Sequence, residues 1–102
     1  MTEHRLTPAD DGKSLSVDAE DVVVLELPEQ AVTGYQWTVE ASGAAVVRER
    51  LSEGADPGAP GAGHTRVFEV RPGPGRTRVT ATKARSWETA PLERLAVNLE
   101  RR

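Results

Sequence analysis

No cysteine occurs among the 102 residues. That excludes disulfides, thiolate nucleophiles and cysteine-based zinc sites. It leaves the redox compartment open, because a chain without cysteine is stable in either setting. Aromatic residues are almost as scarce: Tyr35, Trp37, Phe68 and Trp87 are the whole set, so each position asks for a reason. Long apolar runs are missing too. The longest aliphatic run is Val22 to Leu25, far short of a membrane span. No apolar stretch follows the polar N-terminus, so no signal peptide is visible; a cytoplasmic location is expected, or a secreted or periplasmic one if a leader has been removed. An excess of positive charge is lacking as well. The formal net charge is -3, whereas binding nucleic acid calls for a dominant basic footprint.

What is present suits one small domain. Hydrophobic residues make up 37% and charged residues 28%, enough for one modest core and too little for a catalytic domain plus a substrate domain. The charge is uneven. Residues 1–30 hold eight Asp/Glu against Arg5 and Lys13, while residues 66–102 hold nine Lys/Arg against four Glu. A basic C-terminal third would suit an acidic partner surface, although a solvated strand face is the plainer explanation. Arginine outnumbers lysine eleven to two, with abundant Ala and Gly, a composition expected of a GC-rich and so bacterial genome.

Alternating and β-branched segments are separated by turn residues. Strands are expected at Leu15 and Val17, at Val22 to Leu27 with Pro28 as the stop, and at Gln36 to Val39. Others are expected at Val46 to Leu51, Arg66 to Val70, Arg76 to Lys83, and around Leu95, Val97 and Leu99. Residues 52–63 are rich in Gly, Pro and Ala and read as a loop, and Pro72-Gly73-Pro74-Gly75 as a tight turn. Seven short strands without helical periodicity point to an all-β, immunoglobulin-like antiparallel sandwich. Residues 1–13 read as a flexible N-terminal segment and 14–102 as the single β-sandwich domain.

Chemistry is hard to find. His4 and His64 stand far apart with no metal-ligand spacing, and no serine sits in a Gly-x-Ser-x-Gly context. No paired acid–base carboxylates are marked either. An enzyme is not expected, nor a metal or cofactor.

Three stretches, in order, resemble the chagasin family of inhibitors of papain-like cysteine peptidases. Ala31-Val32-Thr33-Gly34-Tyr35-Gln36-Trp37 is similar to the family's Asn-Pro-Thr-Thr-Gly-Tyr-x-Trp signature. Gly61-Ala62-Gly63-His64, running into Thr65 to Phe68, looks like its Gly-x-Gly-Gly loop and following strand. Arg85-Ser86-Trp87-Glu88 is similar to Arg-Pro-Trp-Glu. The chain departs from the pattern at Gln30, Ala31, Val32, His64 and Ser86.

The resemblance implies a non-enzymatic domain whose partner is a papain-like cysteine peptidase. The domain would be a monomer, with neither nucleic acid nor membrane as a partner. Three loops, 30–35, 60–64 and 84–90, would block the cleft reversibly. The inhibitory residues would be Val32, Thr33, Gly34, Tyr35, Gly61, Ala62, Gly63, His64, Arg85 and Trp87. Gly34 has no Cβ and lets backbone approach a catalytic centre; Thr33 is stiff and limits the entropy lost on docking. Trp87 sits in a polar loop where strand alternation does not call for it, as an interface anchor would. Arg85 would hold that loop, by backbone carbonyls or by Glu88. The plain alternatives are a turn glycine at Gly34, a Trp87 folded back on the sandwich edge, a solvated Arg85 and an inert linker at 61–64. A second functional class fits the departures: an immunoglobulin-like protein-binding module of the same fold without peptidase inhibition.

Overall fold

A computed structural model describes residues 2–29, 34–50, 64–88 and 90–102. The described strands, in chain order, are β1 (Glu3–Leu6), β2 (Ser14–Val17), β3 (Val22–Glu29), β4 (Gln36–Ala41), β5 (Val46–Arg50), β6 (His64–Arg71), β7 (Arg76–Ala84) and β8 (Glu93–Arg101). They form two four-stranded sheets, β1-β3-β6-β5 and β2-β8-β7-β4. The fold is a β-sandwich of the immunoglobulin-like kind, with eight strands among the described residues rather than the seven expected, and with mixed rather than purely antiparallel sheets, because β1 and β2 pair parallel to β3 and β8.

The inward faces follow the period of two. Val23, Leu25 and Leu27 of β3, Phe68 and Val70 of β6, Val79 and Ala81 of β7, and Leu95, Val97 and Leu99 of β8 meet in one core with Trp37. The central pairs β3–β6 and β7–β8 are antiparallel over long registers, Val23↔Val70 to Glu29↔His64 and Arg76↔Glu100 to Lys83↔Glu93.

The added strand corrects the N-terminal reading. Residues 1–13 were expected to be a flexible lead-in, yet β1 lies parallel to β3 with Leu6 against Leu25, and Leu6 is buried in the core. A one-turn 3₁₀ segment, Pro8–Asp10, follows, closed by a capping box in which Thr7 and Asp10 satisfy each other's backbone. Gly12 N–H then donates to Ala96 O (2.8 Å), and β2 runs parallel to β8. Buried Asp21 fastens the beginning of this segment. It accepts from Thr2 N (2.9 Å) and Asp18 N (3.0 Å), and His4 Nε2 lies 3.1 Å away.

Pro28 was expected to end β3. Instead the strand continues to Glu29, with Pro28 paired to Thr65. The Pro28 carbonyl accepts from Trp37 Nε1 (2.8 Å) rather than from β6. Backbone N and O of one strand residue point the same way, so the missing N–H of Pro28 also faces away from β6 and breaks no ladder bond.

Val22 and Val24 are buried although their parity turns them to the outer face. Arg5, Val24, Glu69 and Arg48 stand in register as one row across β1, β3, β6 and β5. Ion pairs run over this face: Arg50 Nε to Glu69 (2.8 Å), Arg50 Nη1 to Glu3 (3.1 Å) and Arg71 to Glu69 (3.0 Å). The aliphatic stems of such side chains shield the valines beneath while their charges stay wet. No helix among the described residues is long and apolar enough to cross a membrane.

Candidate functional site

The strand directions send three connections to one end of the sandwich. β3 ends and β6 begins there, as the Glu29↔His64 pair shows. β4 begins and β7 ends there, as Gln36↔Ala84 shows. β8 begins beside them at the Lys83↔Glu93 pair. Residues 30–35, the segment preceding His64, and the 85–92 connection are therefore rooted side by side, although each lies more than twenty residues from the next in sequence.

Gly34 adopts φ +77°, a left-handed conformation that favours glycine. It also packs closely. A Cβ there would lie 3.2 Å from Trp87 Cη2 and 3.9 Å from Arg85 Cγ. The Arg85 guanidinium covers the Tyr35 ring at 4.2 Å from its centroid and reaches to 5.7 Å from that of Trp87. Arg85 Nη1 also donates to Glu88 Oε1 (3.2 Å), within a turn in which Glu88 N donates to Arg85 O (3.1 Å). Leu92 N closes the base of the connection on Lys83 O (2.8 Å). Arg85 is thus a clamp between the first connection and the third, satisfied by cation–π contact and by an ion pair. Trp87 is left 71% exposed, and Leu92 on the same connection is exposed as well. So large an exposed aromatic surface is what a protein interface uses as an anchor.

Of the sequence-derived candidates, the fold brings Gly34, Tyr35, Arg85 and Trp87 into one cluster. Val32, Thr33, Gly61, Ala62 and Gly63 lie outside the described residues. His64 was read as part of a loop, but its backbone is the first residue of β6, paired with Glu29, because the strand begins two residues earlier than its apolar alternation. Trp37 is a core residue, 2% exposed, between the sheets.

Two residues at this end escaped the sequence reading. Glu29 is 6% exposed, and its Oε2 accepts both Trp37 N (2.9 Å) and Arg66 Nη1 (3.1 Å). Arg66 Nη1 also donates to Trp37 O (3.0 Å), Arg66 Nε donates to Glu49 Oε1 (2.7 Å), and its guanidinium lies over Phe68. The signal was parity. Glu29 continues the inward series Val23, Leu25, Leu27, and Arg66 continues Phe68 and Val70, so two opposite charges point inward at the same end. Among the described residues no cluster of His, Asp and Glu suited to a metal ion occurs.

A sandwich that gathers connections at one end and exposes a Trp braced by Arg there has the means to present a protein-binding surface. A model of the chagasin family of peptidase inhibitors matches residues 16–99, and the chain belongs to that family. No curated protein matches the sequence. Among solved structures the chain is similar to the cysteine protease inhibitor EhICP2 from Entamoeba histolytica, with 24% identity, TM-score 0.79, and 100% of this chain and 97% of that one covered. It is also similar to amebosin, with 16% identity, TM-score 0.76 and 98% of each chain covered. A third similar structure is PbICP-C, solved in complex with falcipain-2, with 13% identity, TM-score 0.58, and 98% of this chain and 89% of that one covered.

Proposed function

We propose that this protein inhibits papain-like cysteine peptidases, reversibly and without covalent chemistry, by docking the loops 30–35, 60–64 and 84–90 over the active-site cleft. The observation that carries the reading is the cluster at the loop end: Gly34 in left-handed conformation against Trp87, with Arg85 stacked on Tyr35. Family membership and the falcipain-2 complex of PbICP-C support the same partner class.

A papain-like cleft holds a thiolate–imidazolium pair between two lobes. Blocking it requires backbone near the thiolate without a carbonyl in attackable geometry. In this reading the residues leading into Gly34, Val32 and Thr33 among them, supply that backbone, Trp87, packed against Gly34, is the apolar anchor on one flank, and the 61–64 segment serves the other. Arg85 positions Trp87 and limits the side-chain entropy lost on docking.

The departures at Gln30, Ala31, Val32, His64 and Ser86 favour a second reading, a binding module of the same fold that has lost inhibition. Titration of papain and a cathepsin-L-like peptidase with the purified chain, against a fluorogenic substrate, separates the two. Stoichiometric inhibition that weakens on mutating Thr33 and Trp87 is expected. No inhibition at tens of micromolar by folded protein transfers the assignment to the binding module.

A further inference from the structure

β4 is an edge strand, paired on one side with β7. At Trp37 its open side is not left to water. The Glu29 carboxylate takes the Trp37 N–H and the Arg66 guanidinium donates to the Trp37 carbonyl, so two side chains of the first sheet occupy the places of a neighbouring strand's backbone. The same two side chains pair with each other at 3.1 Å, and the Trp37 indole donates to Pro28 O. Three polar links thereby join residues 28–29 and 66 of one sheet to residue 37 of the other, and the Glu29–Arg66 pair ties their donors and acceptors together within the first sheet. They lie immediately outside the segment 30–35, whose ends belong to different sheets.

We infer that Glu29 and Arg66 are positioning residues for the inhibitory surface: they set the separation of the two roots of the 30–35 loop and hold Gly34 against Arg85 and Trp87. The inference rests on the inhibitor reading for its consequence, but its physical content is local. Sheets of a sandwich are otherwise held by apolar contact, which is non-directional and tolerates small slides. Charge-assisted hydrogen bonds are directional and fix distance and angle together. Glu29 is buried and Arg66 half-buried, so desolvation offsets much of the attraction between them, and specifying one geometry is a reason for the pair's presence. Tyr35 and Trp37 lie on either side of Gln36, so a shift of Trp37 along the sheet moves the Tyr35–Arg85 stack with it.

The test uses Glu29→Ala, Glu29→Gln and Arg66→Met. Glu29→Gln keeps an acceptor for Trp37 N–H, and Arg66→Met keeps the stem over Phe68. Asp21→Ala, at the opposite end of the sandwich, controls for stability loss alone. Inhibition of papain is measured at a temperature where every variant is fully folded. Glu29→Ala and Arg66→Met are expected to weaken inhibition roughly tenfold or more, mainly through faster dissociation, with Glu29→Gln recovering part of the loss and Asp21→Ala unchanged. Inhibition within twofold of wild type for Glu29→Ala and Arg66→Met, measured under the same conditions, overturns the inference.

Native-state amide exchange keeps the test independent of the peptidase. Acceleration confined to residues 34–37 in Glu29→Ala supports the brace, and uniform acceleration overturns it. If the wild-type chain inhibits nothing, the inhibitor reading falls, and the exchange pattern alone decides whether the pair braces the loop.

Discussion

At the scale of single residues, Gly34 and Trp87 depend on each other. A β-carbon at φ +77° costs roughly 1 kcal/mol or more, and at 3.2 Å from Trp87 Cη2 it pushes the exposed ring out of the place in which Arg85 holds it. Gly34→Ala is therefore expected to lower Tm slightly and weaken inhibition far more, because the displaced ring is the anchor. Thermal melts beside inhibition titrations check this; equal losses in both would refute the coupling. Trp87→Ala removes surface that folding leaves 71% exposed. The melting temperature should stay put while binding to a papain-like peptidase weakens by about 2 kcal/mol, roughly thirtyfold. Unchanged affinity would deny Trp87 the role of anchor.

At the scale of elements, the N-terminal strand shows how weak local signals combine. Glu3–Leu6 carries only Leu6 as an inward apolar residue, so its sequence resembles a frayed terminus. Its order comes from β3, whose edge it pairs, and from Asp21, which ties Thr2, Asp18 and His4 together. The backbone N–H of Asp18, then the His4 imidazole and the Thr2 N–H, lower the Asp21 carboxyl from 3.8 to about 2. Those interactions stabilise the ionised form in the folded chain. Their contribution is full above the unfolded value of 3.8 and is lost as pH falls through about 2. Urea midpoints measured from pH 5 downward should fall more steeply for wild type than for Asp21→Asn. Parallel slopes would show that Asp21 does not couple folding to protons. The polar charge row over Val22 and Val24 belongs to the same scale. Two valines of outward parity read as solvent-facing in the strand itself and become buried only under arginine and glutamate stems from three other strands.

At the scale of the whole molecule, the two tryptophans report on separate regions. Trp37 is in the core and Trp87 lies at the loop end. Acrylamide should quench Trp87 and spare Trp37 in the free protein, and saturation with an inactive papain-like peptidase should remove most of the quenching. The complex is expected to be one-to-one and to bury about 1,600 Å². Quenching unaffected by bound peptidase would place the interface elsewhere on the sandwich. Unfolding followed through Trp37 should coincide with loss of β-structure, as expected when one core joins both sheets.

The alternation of Val23, Leu25 and Leu27, of Phe68 and Val70, and of Leu95, Val97 and Leu99 was sufficient for the sandwich, because a period of two with turn residues between admits few other ways to bury one face. The motif at 31–37 and Arg85 stood out through their resemblance to the family's signatures, and Trp87 also as a tryptophan in a polar loop. Tertiary structure decided what depends on strand order. It put β1 beside β3, carried β3 through Pro28, made His64 a strand residue, and joined Glu29 to Arg66 and Trp37. Each depends on which strand lies alongside, and pairing energy between residues tens of positions apart leaves little trace in the local sequence of either.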